Sequence, residues 1–276
     1  MQSALRDART RLLPASDSAA LDAQTLLGAA LGVERAYLLA HPDQPLTAEQ
    51  SAQFNTWVER CAAGEPLSYV LGRRAFYDRE LIVTPDVLIP RPETELLLEA
   101  ALAFAGSRAL VAVDVGTGSG ALAVTLAALC PALTVYATDI SPAALDVARQ
   151  NAALHGAAVT FLQGDLLSPL LERGIHADLI MANLPYIPSG DLPALAVTRW
   201  EPRLALDGGA DGLDLVRRLL RQAADGWRAE GLMLLEIGYD QGVAGAALCR
   251  EMFPGADVQV LRDYSGHDRI LRVERK

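Results

Sequence analysis

Ala109-Leu-Val-Ala-Val-Asp-Val-Gly-Thr-Gly-Ser-Gly-Ala-Leu-Ala-Val124 runs from one apolar stretch, through three glycines, directly into another. The first stretch reads as a buried strand and the second as the opening of a helix. Glycines between them let the backbone turn tightly and let a ligand approach the main chain with no Cβ in the way. A strand, a glycine turn and a helix in that order open a parallel, helix-covered sheet with a pocket at the turn.

Working outward, strand-like and helix-like segments alternate from about Glu93 to the end of the chain. The pattern predicts strands over Leu110 to Val115, Leu133 to Asp139, Val159 to Gln163, Asp178 to Ala182, Leu232 to Ile237, Asp257 to Leu261 and Arg269 to Val273. The last two leave no room for a helix between them and are expected to pair antiparallel through the turn at Tyr264 to Asp268. The fold class expected is α/β, a seven-stranded, mostly parallel, doubly wound sheet of Rossmann-like form.

Upstream, the chain is helical to about Gly64. Thr47-Ala-Glu-Gln50 is a capping-box signature, followed by Phe54, Trp57, Val58 and Cys61 on one face. From Ser68 to Pro92 three β-prone runs, Tyr69-Val-Leu, Ala75-Phe-Tyr and Leu81-Ile-Val-Thr, suggest a strand pair. The expected domains are therefore a helical bundle over residues 1–66, a β-hairpin linker over 67–92 and a ligand-binding domain over 93–276.

Composition narrows the function. A chain of 276 residues with 51% hydrophobic content builds a sizeable core, and a formal net charge of −10 disfavours affinity earned by neutralising phosphates. The scattered Cys61, Cys130 and Cys249 and the separated histidines form neither a metal spacing nor a disulfide framework. No signal peptide or membrane span is read, so the expectation is a cytoplasmic protein of a reducing compartment, a monomer by default, without metal.

Gly116, Gly118 and Ala121 also satisfy the dinucleotide pattern, so the turn by itself leaves the ligand open. Asp114 suits a ligand bearing an ammonium or sulfonium charge, and Asp139 ends the next strand, where a ribose-binding acid belongs. Asp165 and Leu166 follow the third strand, where an acid can reach an adenine edge and an apolar neighbour can cover its face. Asn183-Leu-Pro-Tyr186 ends the fourth strand on the same edge of the sheet. The Asn183 side-chain oxygen and the Leu184 carbonyl are two acceptors side by side, matched to the two hydrogens of one planar NH2 group. Pro185 stiffens the turn, and Tyr186 is expected to stack on the bound group as a lid.

Asp114-Val-Gly-Thr-Gly-Ser-Gly, Asp139 and Asn183-Leu-Pro-Tyr together resemble the amino-methylating class I S-adenosylmethionine-dependent methyltransferases. Gly64-Glu-Pro-Leu-Ser-Tyr-Val-Leu-Gly and Leu88-Ile-Pro-Arg-Pro-Glu-Thr-Glu95 narrow the resemblance to the peptide chain release factor N5-glutamine methyltransferase family. It extends over nearly the whole chain, to Asp263-Tyr-Ser-Gly-His-Asp-Arg269. It implies methylation, by direct in-line transfer, of the glutamine in the Gly-Gly-Gln loop of release factors, with the helical domain gripping the factor. By position, Gly116, Thr117, Gly118, Ser119 and Gly120 would wrap the methionine part of S-adenosyl-L-methionine. Asp139 would take the ribose, Asp165 and Leu166 would lie by the adenine, and Asn183 to Tyr186 would hold the glutamine amide. The family usually has a second proline where this chain has Leu184, but the group used there is a backbone carbonyl, which leucine also supplies.

Four alternatives remain at this point, one of them a pure binding module whose crevice has lost catalysis. Adenine methyltransferases of rRNA or DNA carry the same tetrapeptide but must capture a base and bind phosphates, which the acidic composition disfavours. Ribosomal-protein glutamine methyltransferases share hairpin and tetrapeptide, and only Pro-Arg-Pro-Glu-Thr-Glu favours the release-factor branch. An NAD-dependent oxidoreductase fits the glycine turn but leaves Asn183 to Tyr186 unexplained.

Overall fold

A computed structural model describes residues 1–275. The chain divides into two compact units, Met1–Arg73 and the rest from Arg74 onward.

The first unit is helical: α1 (Gln2–Leu12), α2 (Ala19–Leu31), α3 (Arg35–Ala40), α4 (Ala48–Ala62) and α5 (Leu67–Leu71). The capping box forms as the sequence predicts, with Gln50 N donating to Thr47 Oγ1 at 3.1 Å and Thr47 N donating to Gln50 Oε1 at 3.1 Å. Leu12, Leu26, Leu27, Phe54 and Val58 close a core drawn from this unit's own helices. Each such side chain contributes about 2 kcal/mol by leaving water. Tyr69-Val-Leu, read from sequence as β-prone, is helical instead. Pro66 accepts the amides of Tyr69 and Val70 through its carbonyl, and Gly72 ends the turn at φ +71°. A proline start and a left-handed glycine stop outweigh the β propensity of three residues.

A hairpin of β1 (Arg73–Phe76) and β2 (Arg79–Ile82) follows, all but its first residue in the second unit, and then α6 (Thr94–Ala105). The sheet is built from β3 (Val111–Val115), β4 (Thr134–Asp139), β5 (Val159–Gln163), β6 (Ala177–Ala182), β7 (Trp227–Glu236), β8 (Asp257–Arg262) and β9 (Asp268–Glu274). Helices α7 (Ala121–Leu129), α8 (Pro142–His155), α9 (Ser168–Leu171), α10 (Asp214–Gly226) and α11 (Gly242–Met252) lie between them in sequence. Strand order is β5-β4-β3-β6-β7-β9-β8, parallel from β5 to β7, with β9 antiparallel to both neighbours.

The predicted strands recur within a residue or two, except that β7 starts five residues early, at Trp227. Trp227 is buried and pairs with Ala177, and Glu230 adopts φ +59° where the register with β6 shifts. The strand is thus interrupted by a bulge, and a bulge hides the alternation by which sequence reveals a strand. The two faces of the sheet carry separate apolar layers, around Val113, Ile180 and Leu219 on one side and Leu97, Leu126 and Leu179 on the other. Strand order reverses between β3 and β6, and a crevice opens beyond the carboxyl ends of the strands at such a point.

Candidate active site

A cavity of about 350 Å³ occupies that crevice. Its wall holds Asp114, Gly116, Thr117, Gly118 and Ser119 after β3, and Asp139 after β4. Asp165 and Leu166 follow β5, and Asn183, Leu184 and Pro185 follow β6. Nearly every residue expected of a site is therefore drawn together, with Gly120 and Tyr186 the two exceptions.

The glycine turn is held from within. Gly116 N and Thr117 N donate to the Thr138 carbonyl at 2.8 and 2.9 Å, Gly118 N donates to Asp139 Oδ2 at 2.9 Å, and Gly120 N donates to the Thr117 carbonyl at 2.8 Å. These amides are spent inside the protein and do not form the open row that a diphosphate requires. A Cβ on Gly118 would enter open space beside the cavity, at φ +54°. Gly120 does not reach the wall. At φ +82° it lets α7 approach α8 so closely that a Cβ would stand 3.1 Å from that of Ala148. At this position the structure shows close packing of α7 on α8.

Two carboxylates face the same space. Asp114 is 2% exposed, and its Oδ2 accepts from Thr117 Oγ1 at 2.6 Å and Ala123 N at 3.1 Å. Burial pushes its pKa up to about 6 in spite of those bonds. Asp139 accepts from Gly118 N and, at 2.9 Å, from Ser141 N, and burial raises its pKa as well. A carboxylate pair lining the cavity, Asp114 buried and Asp139 half-buried, beside a turn whose Gly116, Thr117, Gly118 and Gly120 amides are already bonded, fits a ligand carrying positive charge and hydroxyls. That is the character of S-adenosyl-L-methionine and the opposite of a dinucleotide's diphosphate.

Asp165 is neither free nor a helix cap. Arg218 Nη2 donates to its Oδ1 at 2.5 Å and Gln222 Nε2 to its Oδ2 at 3.2 Å, so α10 fixes the carboxylate where it lines the cavity. Leu166 sits beside it, buried, at φ +51°.

Beyond β6 the chain leaves the sheet without entering a helix. Ile187 N donates to Leu206 O at 3.1 Å and Gly208 N to Ile187 O at 2.8 Å, while Gln241 Nε2 donates to Tyr186 O at 2.9 Å. The Tyr186 ring is half-buried outside the cavity wall, and its pKa is raised by burial first and then by the Glu236 charge. The charged groups around the ring are Glu236, Arg269, Arg91 and Glu93.

Asn183 has partners that sequence reading missed. Its Nδ2 donates to Thr94 Oγ1 at 3.0 Å, and Thr94 Oγ1 donates to Glu236 Oε2 at 2.7 Å. Thr94 and Glu236 are both buried. With the amide nitrogen engaged there, the carbonyl end of Asn183 is the end left for the cavity. A lone acid in the apolar run Leu232-Met-Leu-Leu-Glu-Ile237 was the available signal for Glu236. Arg91, without an assigned role in the sequence, pairs with buried Glu201 at 2.6 Å, and Glu201 also accepts from Ile89 N at 3.3 Å.

Comparisons with known proteins bear on the family and the fold. A family model described as the PrmC N-terminal domain matches residues 3–72, and one described as a methyltransferase domain matches residues 112–200. The release factor glutamine methyltransferase of Moorella thermoacetica is 48% identical over 93% of this chain and 91% of its own. That of Cereibacter sphaeroides is 45% identical over 97% and 96%. Among solved structures, a 16S rRNA N2 G1207 methyltransferase of T. thermophilus aligns at TM-score 0.53 and 20% identity, over 74% of this chain and 50% of its own. The ribosomal protein L11 methylase of Lactobacillus delbrueckii aligns at 0.50 and 24%, over 67% and 80%. These two speak for the fold alone. With relatives matched from end to end at such identity, the chain belongs to the release factor glutamine methyltransferase family.

Proposed function

We propose that this chain methylates the side-chain amide nitrogen of the glutamine in the Gly-Gly-Gln loop of release factors, using S-adenosyl-L-methionine. The observation that carries the reading is the orientation of Asn183, nitrogen tied inward to Thr94, beside a cavity lined by two carboxylates. When bound, the cofactor supplies a methyl group on a positively charged sulfur.

The chain's own residues supply the rest. Asp114 and Asp139 would hold the cofactor's positive charge and hydroxyls, Gly118 leaves it room, and Asp165 and Leu166 would border its base. Asn183 Oδ1 and the Leu184 carbonyl would accept the two hydrogens of the glutamine NH2. Held from both sides, the nitrogen gives less of its lone pair to the neighbouring carbonyl and becomes the nucleophile. No general base is required, because the alkylated nitrogen is acidic and loses its proton to water. Residues 1–66 would recognise the release factor, with 67–92 as the connection to a catalytic region over 93–276. We place the protein in the cytoplasm as a monomer, and among the described residues no helix is long and apolar enough to cross a membrane.

Mass spectrometry of a release factor incubated with the chain and S-adenosylmethionine tests the proposal. A methyl group on the Gly-Gly-Gln glutamine, lost in a Gln→Ala substrate, is the expected result. Methylation of ribosomal protein or rRNA in preference would overturn it.

A further inference from the structure

We propose that Thr94 and Glu236 are positioning residues that determine which end of the Asn183 amide faces the cavity. The inference rests on the glutamine-methylating reading above and deepens it. The chain of donors has one direction. Thr94 owns a single hydroxyl hydrogen and gives it to Glu236 Oε2, so towards Asn183 it has only lone pairs to offer and accepts from Nδ2. The Asn183 side chain also lies close enough to the Glu236 carboxyl to hold its pKa down slightly. An amide turned the other way would bring its oxygen against these acceptors.

The arrangement is costly unless it serves the site. Glu236 is 2% exposed, at the end of β7. The groups that face it are Thr94 and Glu93 at the start of α6, Arg269 of β9, and Asn183 and Tyr186 after β6. Burial raises its pKa to about 7, the Thr94 bond, Arg269 and the nearby Asn183 side chain oppose the rise, and Glu93 adds to it. Protonation changes the logic of the relay. A carboxylic acid can donate to Thr94, which then presents its hydrogen to Asn183 and favours the flipped amide, with NH2 in the cavity. Two NH2 groups face to face cannot hydrogen-bond, so the glutamine would lose its acceptor.

The test uses the full chain with saturating S-adenosylmethionine and a release factor, in wild type, Thr94→Val, Thr94→Ser and Glu236→Gln. We expect Thr94→Val to lower kcat about 10- to 100-fold, the scale of a misplaced reacting group. Affinity for S-adenosylhomocysteine should change little, and Thr94→Ser should recover most of the rate. Wild-type kcat should rise with pH as Glu236 ionises, and Glu236→Gln should remove that step.

A second readout does not depend on turnover. In 15N-asparagine-labelled protein, the Asn183 side-chain NH2 signal, identified by its loss in Asn183→Ala, should exchange slowly in wild type and faster in Thr94→Val. A Thr94→Val enzyme with wild-type kcat and an unchanged amide signal overturns the inference, as does Thr94→Ser impaired as badly as Thr94→Val. Wild type inactive on release factor would instead sink the functional reading, and the amide signal alone would then decide the relay.

Discussion

Glu236 sets a function of the site against the stability of the fold. Its pKa rises from an ordinary 4.5 to about 7 because burial favours the neutral acid. The folded protein therefore keeps a proton that the unfolded chain releases, and stability contributed below pH 4.5 is lost as pH rises through about 7. Replacing the acid by a neutral amide removes that loss. Glu236→Gln should raise the unfolding temperature above pH 7, by an amount equivalent to about 3 kcal/mol at most, with the gap closing as pH falls towards 4.5. Calorimetry at pH 5 and pH 8 reads the difference, and an equal melting shift at both would refute it. Asn183→Ala is expected to lower turnover by at least about 100-fold while S-adenosylhomocysteine still binds, measured by single-turnover kinetics beside calorimetric titration. Asn183 was legible in the sequence because its neighbours Leu184, Pro185 and Tyr186 travel with it in the chain. The roles of Thr94 and Glu236 were not, since Thr94 lies 89 residues from Asn183 and 142 from Glu236, and only the folded sheet brings the three together.

The glycine turn shows how one element divides its labour. Gly118 faces the cavity, whereas Gly120 serves the contact of α7 with α8. Gly120→Ala combines a left-handed backbone with a Cβ 3.1 Å from Val124 and Ala148, and it should destabilise the fold by about 1–3 kcal/mol, read from urea unfolding. Asp114 at the end of β3 gives the element a pH response. Its raised pKa means that part of the population is neutral near pH 6, and a positively charged ligand favours the ionised form. Affinity for S-adenosylmethionine should fall by up to about tenfold per pH unit below 6, with proton release on binding, and Asp114→Asn should show neither. Titration calorimetry in two buffers measures both. At this scale the sequence was most transparent, because a strand buried on both faces is a continuous apolar run. The exceptions were α5, too short for periodicity to register, and β7, whose bulge disguises its first half.

At the scale of the whole molecule, each unit closes its own core, one from residues of α1 to α5 and the other from the two faces of the sheet. The proposed ligand-binding residues all belong to the second unit. Hydrogen exchange with S-adenosylhomocysteine should therefore slow amides around 116–120 and 183–186 and leave residues 2–62 unchanged. Addition of a release factor should slow exchange within residues 1–66 if that region recognises the substrate; protection confined to the second unit would count against that assignment. Periodicity made the boundary between helical and alternating segments readable. It carries no information about which surface of a helical unit a partner covers.

The inward tether of the Asn183 nitrogen has a consequence for product stoichiometry. A clamp of two acceptors suits an amide with two hydrogens, and a methylated amide has only one left to offer. The first transfer thus removes the feature by which the substrate was held. Modification should stop at a single methyl group even with excess methyl donor and long incubation, so that the site counts as well as recognises.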